Sequence, residues 1–192
     1  MSVSPATWSD DRGLFRSARA GEPMAARALV DALSPRAHAL AWRMLGDATE
    51  AEDVIQEAFI RLFNGAEFQG QSRLATFFHT MVARLCLDRI RQKRPETLLA
   101  PEDFERLSDE ALSSVEDPQQ QVSSQQTAHA MQAAISQLSP RQRLAISLWA
   151  YHDFEAIDIA RALDCDLNAA HQCLHRAKGS LRKLLEGSAC DE

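Results

Sequence analysis

Apolar residues recur every three or four positions along most of this chain, which is the spacing of one face of an α-helix. The clearest pattern runs from Asp47 to Phe63, and its apolar positions share one side of a helical wheel. They are Ala51, Val54, Ile55, Ala58, Phe59, Leu62 and Phe63. Gly46 and Asp47 are residue types suited to end one helix and cap the next. The pattern therefore predicts an amphipathic helix with a buried apolar face.

A second long helix is predicted from Leu74 to Arg94, after a polar loop from Asn64 to Ser72. Its expected buried face comprises Leu74, Phe77, Phe78, Met81, Val82 and Leu85. Its expected outer face comprises Thr76, Thr80, Arg84, Leu87, Arg91 and Arg94. Ser72 is a candidate N-cap for this helix. With further helical patterns at 9–20, 24–33 and 35–45, these segments predict a compact four-helix bundle over residues 9–95.

The C-terminal part is predicted to form a second helical domain over residues 125–186. Its first helix ends at Ser139-Pro140, and the next is expected to bury Leu144, Ala145, Leu148 and Trp149. Helices at 154–163 and 168–185, joined by a four-residue turn, give a helix–turn–helix pattern. Residues 96–124 show little periodicity and predict a flexible linker. The expected fold class is all-α, with two domains.

Composition and charge narrow the functional classes. With 45% hydrophobic and 25% charged residues, the chain is an ordinary globular protein without a bilayer-length apolar run or a secretory signal. Its four cysteines form no CxxC pair, which favours reduced thiols and a cytoplasmic location. The net charge of −6 comes mainly from residues 96–124, which hold eight acidic residues and one basic residue. The overall acidity therefore does not argue against nucleic-acid binding by the flanking domains.

Two helices carry opposite charges on their predicted outer faces. On the first, Asp53, Gln56 and Glu57 surround Ile60, which fits a docking surface for a protein but also an ordinary solvated face. On the second, five basic residues from Arg84 to Arg94 face one aspartate, a stripe that fits a phosphate backbone or a solvated helix end. Together they favour a protein that holds one partner of each kind.

The last helix carries the third candidate surface. Its exposed N-terminal positions are Asn168, His171, Gln172, His175 and Arg176. In a helix–turn–helix unit these positions reach base edges and phosphates in the major groove. Small helical bundles without DNA-binding activity also contain helices joined by tight turns, so the pattern alone leaves both interpretations open.

Several motifs, in order, resemble a bacterial sigma factor of the extracytoplasmic-function (ECF) group, group 4 of the sigma-70 family, over about residues 14–185. The segment Ala51-Glu-Asp-Val-Ile-Gln-Glu-Ala-Phe59 is similar to the family's core-polymerase-binding helix. Thr76-Phe-Phe-His-Thr-Met-Val-Ala-Arg84 and Cys86-Leu-Asp-Arg-Ile-Arg91 are similar to its promoter-melting helix. Leu138-Ser-Pro-Arg-Gln-Arg143, Asp158-Ile-Ala160 and Leu174-His-Arg-Ala-Lys178 resemble parts of its C-terminal domain.

The resemblance implies a sigma factor that needs no cofactor, directs promoter recognition and melting, and answers a stress or envelope signal. Core RNA polymerase would be bound by Asp53, Gln56, Glu57 and Ile60. The minus-10 promoter DNA would be bound by Thr80, Arg84, Arg91 and Arg94 with the 64–72 loop. The minus-35 element would be bound by Asn168, His171, Gln172, His175 and Arg176. The resemblance also implies an anti-sigma factor as a partner, often itself membrane-anchored, and a linker threaded through the polymerase channel.

The chain departs from the family pattern at several positions. Phe77 replaces a usual tryptophan, Leu85 a common asparagine, and Asp158 a glutamate. Asp164 stands at a turn position where glycine is usual because the backbone is left-handed. His171 replaces a frequent lysine, so the recognition helix has little fixed positive charge.

Other functions are less consistent with these patterns. A sigma-like mimic that binds polymerase or an anti-sigma factor would suit the charge-poor recognition helix but not the Arg84–Arg94 stripe. A plain helix–turn–helix repressor would leave the acidic helix unexplained. Cys165, His171, Cys173 and His175 could suggest a metal site, but Cys173 is predicted to point inward, and we expect no metal. The sequence contains no nucleophile–base pair and no phosphate-binding loop, so we expect no enzymatic activity.

Overall fold

The computed structural model describes residues 6–65, 67–70, 72–93, 124–152 and 154–188, and every regular element in these ranges is an α-helix. The helices are α1 (Ala6–Arg19), α2 (Pro23–Leu45), α3 (Ala48–Asn64), α4 (Leu74–Lys93), α5 (Ser124–Gln137), α6 (Pro140–His152), α7 (Ala156–Leu163) and α8 (Leu167–Ser188). The all-α fold class with two helical domains is confirmed. The expected linker lies outside the described residues except Ser124, which begins α5. None of the helices described is both long and apolar enough to span a bilayer.

The helix α2 forms the centre of the N-terminal bundle and contacts α1, α3 and α4. Two separate helices were predicted here, but α2 continues through Pro35. Pro35 lies on the exposed side, where water can satisfy the carbonyl that the proline leaves without a donor. Leu33 and Ala37 are buried on either side of it. Core packing therefore maintains one continuous helix, although Pro35 in the sequence suggested two separate helices.

The helix α3 forms as predicted. The backbone of Gly46 is left-handed, with φ of 71°, and the Asp47 carboxylate accepts a hydrogen bond of 2.9 Å from the Glu50 amide. Its apolar face is buried at Val54, Ala58 and neighbouring positions. These caps and this face place the polar residues of α3 outward.

The helix α4 is buried on two sides, which the sequence pattern did not indicate. Leu87 was expected on the outer face but is only 7% exposed, and His79, Ala83 and Cys86 on α4 are buried too. The reason is that α6 and α7 of the C-terminal domain also pack against α4. Burial also raises the pKa of the Cys86 thiol to about 12, so that it stays protonated.

In the C-terminal domain, α7 and α8 form the helix–turn–helix. Asp164 has a φ of 52°, which confirms the left-handed turn position, and Asp166 caps α8 by accepting a hydrogen bond of 2.8 Å from the Ala169 amide. The prediction that Trp149 points inward is wrong, because its side chain is 45% exposed and its ring contacts Lys178. Ile146 is buried instead, since α2, α7 and α8 surround α6.

Candidate functional site

The polar face of α3 presents the predicted polymerase-binding residues side by side. Asp53 and Gln56 are exposed, and Ile60 is 60% exposed although it is apolar. Glu57 is half-buried and accepts a 2.5 Å hydrogen bond from Arg61, with Arg89 of α4 at 3.9 Å. Asp53 makes no ion pair with any residue that the structure describes. Among the predicted docking residues, Asp53 is therefore the carboxylate with its charge directed entirely to solvent.

A pocket of about 660 Å³ lies between α3, α4 and the start of the loop that joins them. It brings Ile60 next to Thr80 and Arg84, two of the predicted minus-10 residues. The remaining lining residues are Arg61, Asn64, Gly65, Glu67, Phe77 and Met81. Apolar side chains together with the guanidiniums of Arg61 and Arg84 suit an unstacked base and its phosphate.

The C-terminal domain covers one edge of this surface. Arg84 donates a hydrogen bond of 2.6 Å to the carbonyl of Arg161 on α7. A narrower cavity of about 150 Å³ is bounded by Asp158 and Arg161 on one side and by Thr80 and residues of the 67–72 loop on the other. A DNA phosphate at Arg84 would therefore compete with the Arg161 carbonyl.

The other predicted minus-10 residues are not gathered in this pocket. Arg91 lies two helical turns beyond Arg84, about 10 Å along the axis, and its guanidinium is 3.0 Å from the Asp88 carboxylate. Arg94 lies outside the described residues. The structure thus brings Thr80 and Arg84 together and places Arg91 further along the same helix.

The helix α1 positions the 64–72 loop, a role that the sequence did not reveal. Arg12 donates a hydrogen bond of 2.5 Å to the Gln69 carbonyl, and the Phe15 and Phe68 rings meet edge to face at 5.7 Å. The predicted N-cap at Ser72 is wrong: its hydroxyl hydrogen-bonds the Arg73 carbonyl, and Asp11 accepts from the Leu74 amide at 3.2 Å instead. These partners lie 53 to 63 residues apart, so local patterns could not show them.

Gly70 lies in the loop at a position where a side chain would not fit. Its φ is 69°, and a Cβ at this position would overlap the Arg12 guanidinium. Gly70→Ala is therefore expected to destabilise the protein by about 1–2 kcal/mol and to displace the loop. Gly13→Ala is the matched control, because this helical glycine has open space around it and the change should stabilise by about 0.5–1 kcal/mol. Urea unfolding of both variants measures the difference, and equal effects would contradict this account.

The predicted minus-35 residues lie in the N-terminal half of α8. Asn168, His171 and His175 are exposed, and Gln172 and Arg176 are partly buried. In the part of the chain that the structure describes, no three His, Cys, Asp or Glu side chains are grouped to hold a metal ion. The face offers hydrogen-bond donors and acceptors, and Arg176 is its fixed positive charge.

Two buried histidines lie where the domains meet. The rings of His79 on α4 and His152 on α6 are 4.7 Å apart, and their exposed fractions are 4% and 7%. Burial, with Arg36 of α2 nearby, lowers the pKa of His79 to about 4. Burial, with His79, Arg43 and Arg36 nearby, lowers the pKa of His152 to about 3. Both rings are therefore neutral at pH 7.

Two family models match the chain, and together they cover more than half of it. Sigma-70 region 2 matches residues 29–96, which include α3 and α4. Sigma-70, region 4 matches residues 128–181, which include the helix–turn–helix. Each model therefore matches part of one of the two helical domains.

Individual proteins show the same relationship over most of the chain. The ECF RNA polymerase sigma factor SigW of Bacillus subtilis is 29% identical over 89% of this chain and 94% of its own length. The RNA polymerase sigma-H factor of Pseudomonas aeruginosa is 26% identical over 94% of this chain and 96% of its own.

Solved structures share the fold. The sigma factor RpoE of Bartonella quintana, in complex with the anti-sigma factor NepR, has a TM-score of 0.60 at 20% identity and covers 83% of this chain and 96% of its own. CnrH, in complex with the cytosolic domain of CnrY, has a TM-score of 0.64 at 18% identity over 92% and 97%. By its two matched regions and its relatives, the chain belongs to the sigma-70 family and is a sigma factor of the ECF type.

Proposed function

We propose that this sigma factor binds core RNA polymerase through Asp53, Gln56, Glu57 and Ile60 on α3. The observation that carries the proposal is the exposed Ile60 among polar and acidic side chains, because an apolar anchor with a charged rim is typical of protein interfaces. Ile60 also lines the pocket that contains Arg84. Polymerase on α3 and DNA on α4 would then be held next to each other.

Promoter DNA would be held by two separate surfaces. The minus-10 element would bind at Thr80, Arg84, Arg91 and Arg94, with one base turned into the pocket beside the 64–72 loop. The minus-35 element would bind at Asn168, His171, Gln172, His175 and Arg176 on α8. Two linked contacts add avidity and fix the spacing of the elements. Melting would draw on binding free energy, which agrees with a family of binding proteins rather than enzymes.

Access to the minus-10 surface requires that α7 move away from α4. Arg84 is bonded to the Arg161 carbonyl, and Asp158 and Arg161 bound the cavity at Thr80. We propose that polymerase binding separates the domains, with the two domains bounded at 9–95 and 125–186 and joined by an acidic linker. The arrangement described would then be that of the chain without polymerase.

An anti-sigma factor is proposed as the regulatory partner. The structure of RpoE, which shares this fold, contains the anti-sigma factor NepR. A protein that binds across both domains would keep α7 against α4 and cover the face of α3. The chain would act in the cytoplasm, where RNA polymerase works.

Run-off transcription tests the proposal. A linear promoter library is transcribed by core polymerase with or without this protein. In a parallel assay, the promoters that the holoenzyme protects from nuclease digestion are sequenced. We expect specific transcripts only when the protein is present. Polymerase binding without any specific transcript would instead support the sigma-like mimic, and duplex promoter binding without polymerase would support a repressor.

A further inference from the structure

A second pocket, of about 530 Å³, lies between α1 and the 64–72 loop. We call it the arginine pocket, and its lining residues are Arg12, Phe15, Arg16, Arg19, Ala20, Phe68 and Gln69. Three of these seven are arginines spaced along one side of α1, and none is acidic. A solvent-open concavity with this lining attracts anions.

No carboxylate lines the arginine pocket, whereas several other arginines of the chain are paired with one. Arg27, Arg61, Arg91 and Arg161 each pair with an acidic residue three or four positions away on the same helix. Arg12 and Arg16 have no carboxylate within 4 Å among the described residues. Their positive charge therefore stays available to a ligand, in a protein whose overall charge is −6.

The arginine pocket also shares two lining residues with a cavity at the proposed DNA surface. Phe68 and Gln69 line both the arginine pocket and the cavity that contains Thr80. Arg12 donates a hydrogen bond to the Gln69 carbonyl, which holds this part of the loop against α1. A strand held at Thr80 and Arg84 that passes over the loop therefore arrives at Arg16 and Arg19.

From this juxtaposition we propose that the arginine pocket binds the phosphates of single-stranded DNA flanking the minus-10 element. Arg16 and Arg19 contact the backbone, and the partly buried Phe68 ring provides apolar contact for a sugar or base. Guanidiniums that bind phosphates read no base edges, so the contact is independent of sequence. The proposal rests on the proposed function, because it extends the DNA strand already held at Arg84.

The test uses holoenzyme assembled from core polymerase and the full chain. Fluorescent single-stranded oligonucleotides carry the minus-10 element alone or the element extended by four nucleotides on its 5′ or its 3′ side. We expect one extension to tighten binding about five- to tenfold in the wild type. The double variant Arg16→Gln, Arg19→Gln should lose this gain but bind the short oligonucleotide as the wild type does. Arg12 is left intact because it also positions the loop.

Salt dependence gives an independent readout. Loss of two phosphate contacts should reduce the slope of log affinity against log salt by about 1.4 for the extended strand. Arg27→Gln on α2 is the control for loss of an exposed guanidinium outside the pocket, and it should retain both the gain and the slope.

Three outcomes would overturn the proposal. The wild type could gain nothing from either extension, the double variant could keep the gain, or Arg27→Gln could lose as much as the double variant. If the wild type failed to bind even the short oligonucleotide, the proposed function itself would be refuted, and the pocket's role with it. Circular dichroism of each variant verifies that the helices are intact.

Discussion

Replacing Asp53 by lysine and Ile60 by alanine together is expected to weaken the binding of core polymerase at least about thirtyfold. Both side chains are exposed, and neither replacement opens a hole in the core. Truncation of an apolar anchor at the centre of an interface costs about 2 kcal/mol or more, and each 1.4 kcal/mol is a factor of ten in affinity. Reversal of the Asp53 charge adds repulsion from a basic partner. Affinity is measured by fluorescence anisotropy with labelled core polymerase.

Glu57 is left unchanged in this variant for a structural reason. Its carboxylate lies near Arg61 and Arg89, so a lysine there would put three cations together and disturb α3 and α4. Asp31→Lys on α2 is the matched control, because it reverses one exposed carboxylate away from α3. If the double variant bound polymerase as tightly as the Asp31→Lys control, the docking role of the α3 face would be excluded.

Patterns of neighbouring residues in the sequence correctly predicted the structural features that depend only on neighbouring residues. The Asp47 cap, the left-handed Asp164 and the apolar face of α3 each depend on residues within a few positions of one another. They also place Asp53 and Ile60 outward, so the composition of this candidate surface could be predicted before its geometry was known.

The features that the sequence did not predict depend on tertiary contacts between distant parts of the chain. Leu87 and His79 are buried because α6 and α7 cover the second side of α4, and no pattern within α4 encodes that neighbour. The capping of α4 by Asp11 and the contact of Arg12 with Gln69 join residues more than 50 positions apart. The loop at the proposed DNA surface is thus shaped by α1, a helix for which the sequence suggested no function.

Acidification is expected to weaken the packing of the two domains, because both buried histidines must remain neutral to stay there. Their pKa values lie at about 4 for His79 and about 3 for His152 in the structure, below the ordinary value of 6.5. In unfolded chains or separated domains, both rings bind protons from about pH 6.5 downwards. Their contribution is therefore fully present above pH 7 and is lost progressively as the pH falls. The loss reaches about 2 kcal/mol per histidine at pH 5.

The charged groups around His79 and His152 also favour the neutral form of both rings. Arg36 and Arg43 of α2 repel a proton on His152, and Arg43 lies over the Tyr151 ring beside it. The pair packs against Phe78 and Phe154, with no carboxylate among the causes of the shift that could stabilise an imidazolium. Neither ring nitrogen of His152 has a hydrogen-bond partner among the described residues. A proton on His152 would therefore be buried without compensation, and on His79 only the hydrogen bond with the Ala75 backbone favours protonation.

Phenylalanine at both positions should remove this sensitivity, since it fills a similar volume and cannot titrate. Urea unfolding at pH 8 and pH 5 is expected to show that the His79→Phe, His152→Phe variant loses about 4 kcal/mol less stability on acidification than the wild type. His38→Gln on α2 is the control, because His38 is exposed and its loss should leave the wild-type difference unchanged. An equal loss in the phenylalanine variant and the wild type would show that the pair does not govern the acid response. Small-angle scattering at pH 5 would show whether the domains separate before they unfold, which is the motion that frees Arg84 from Arg161.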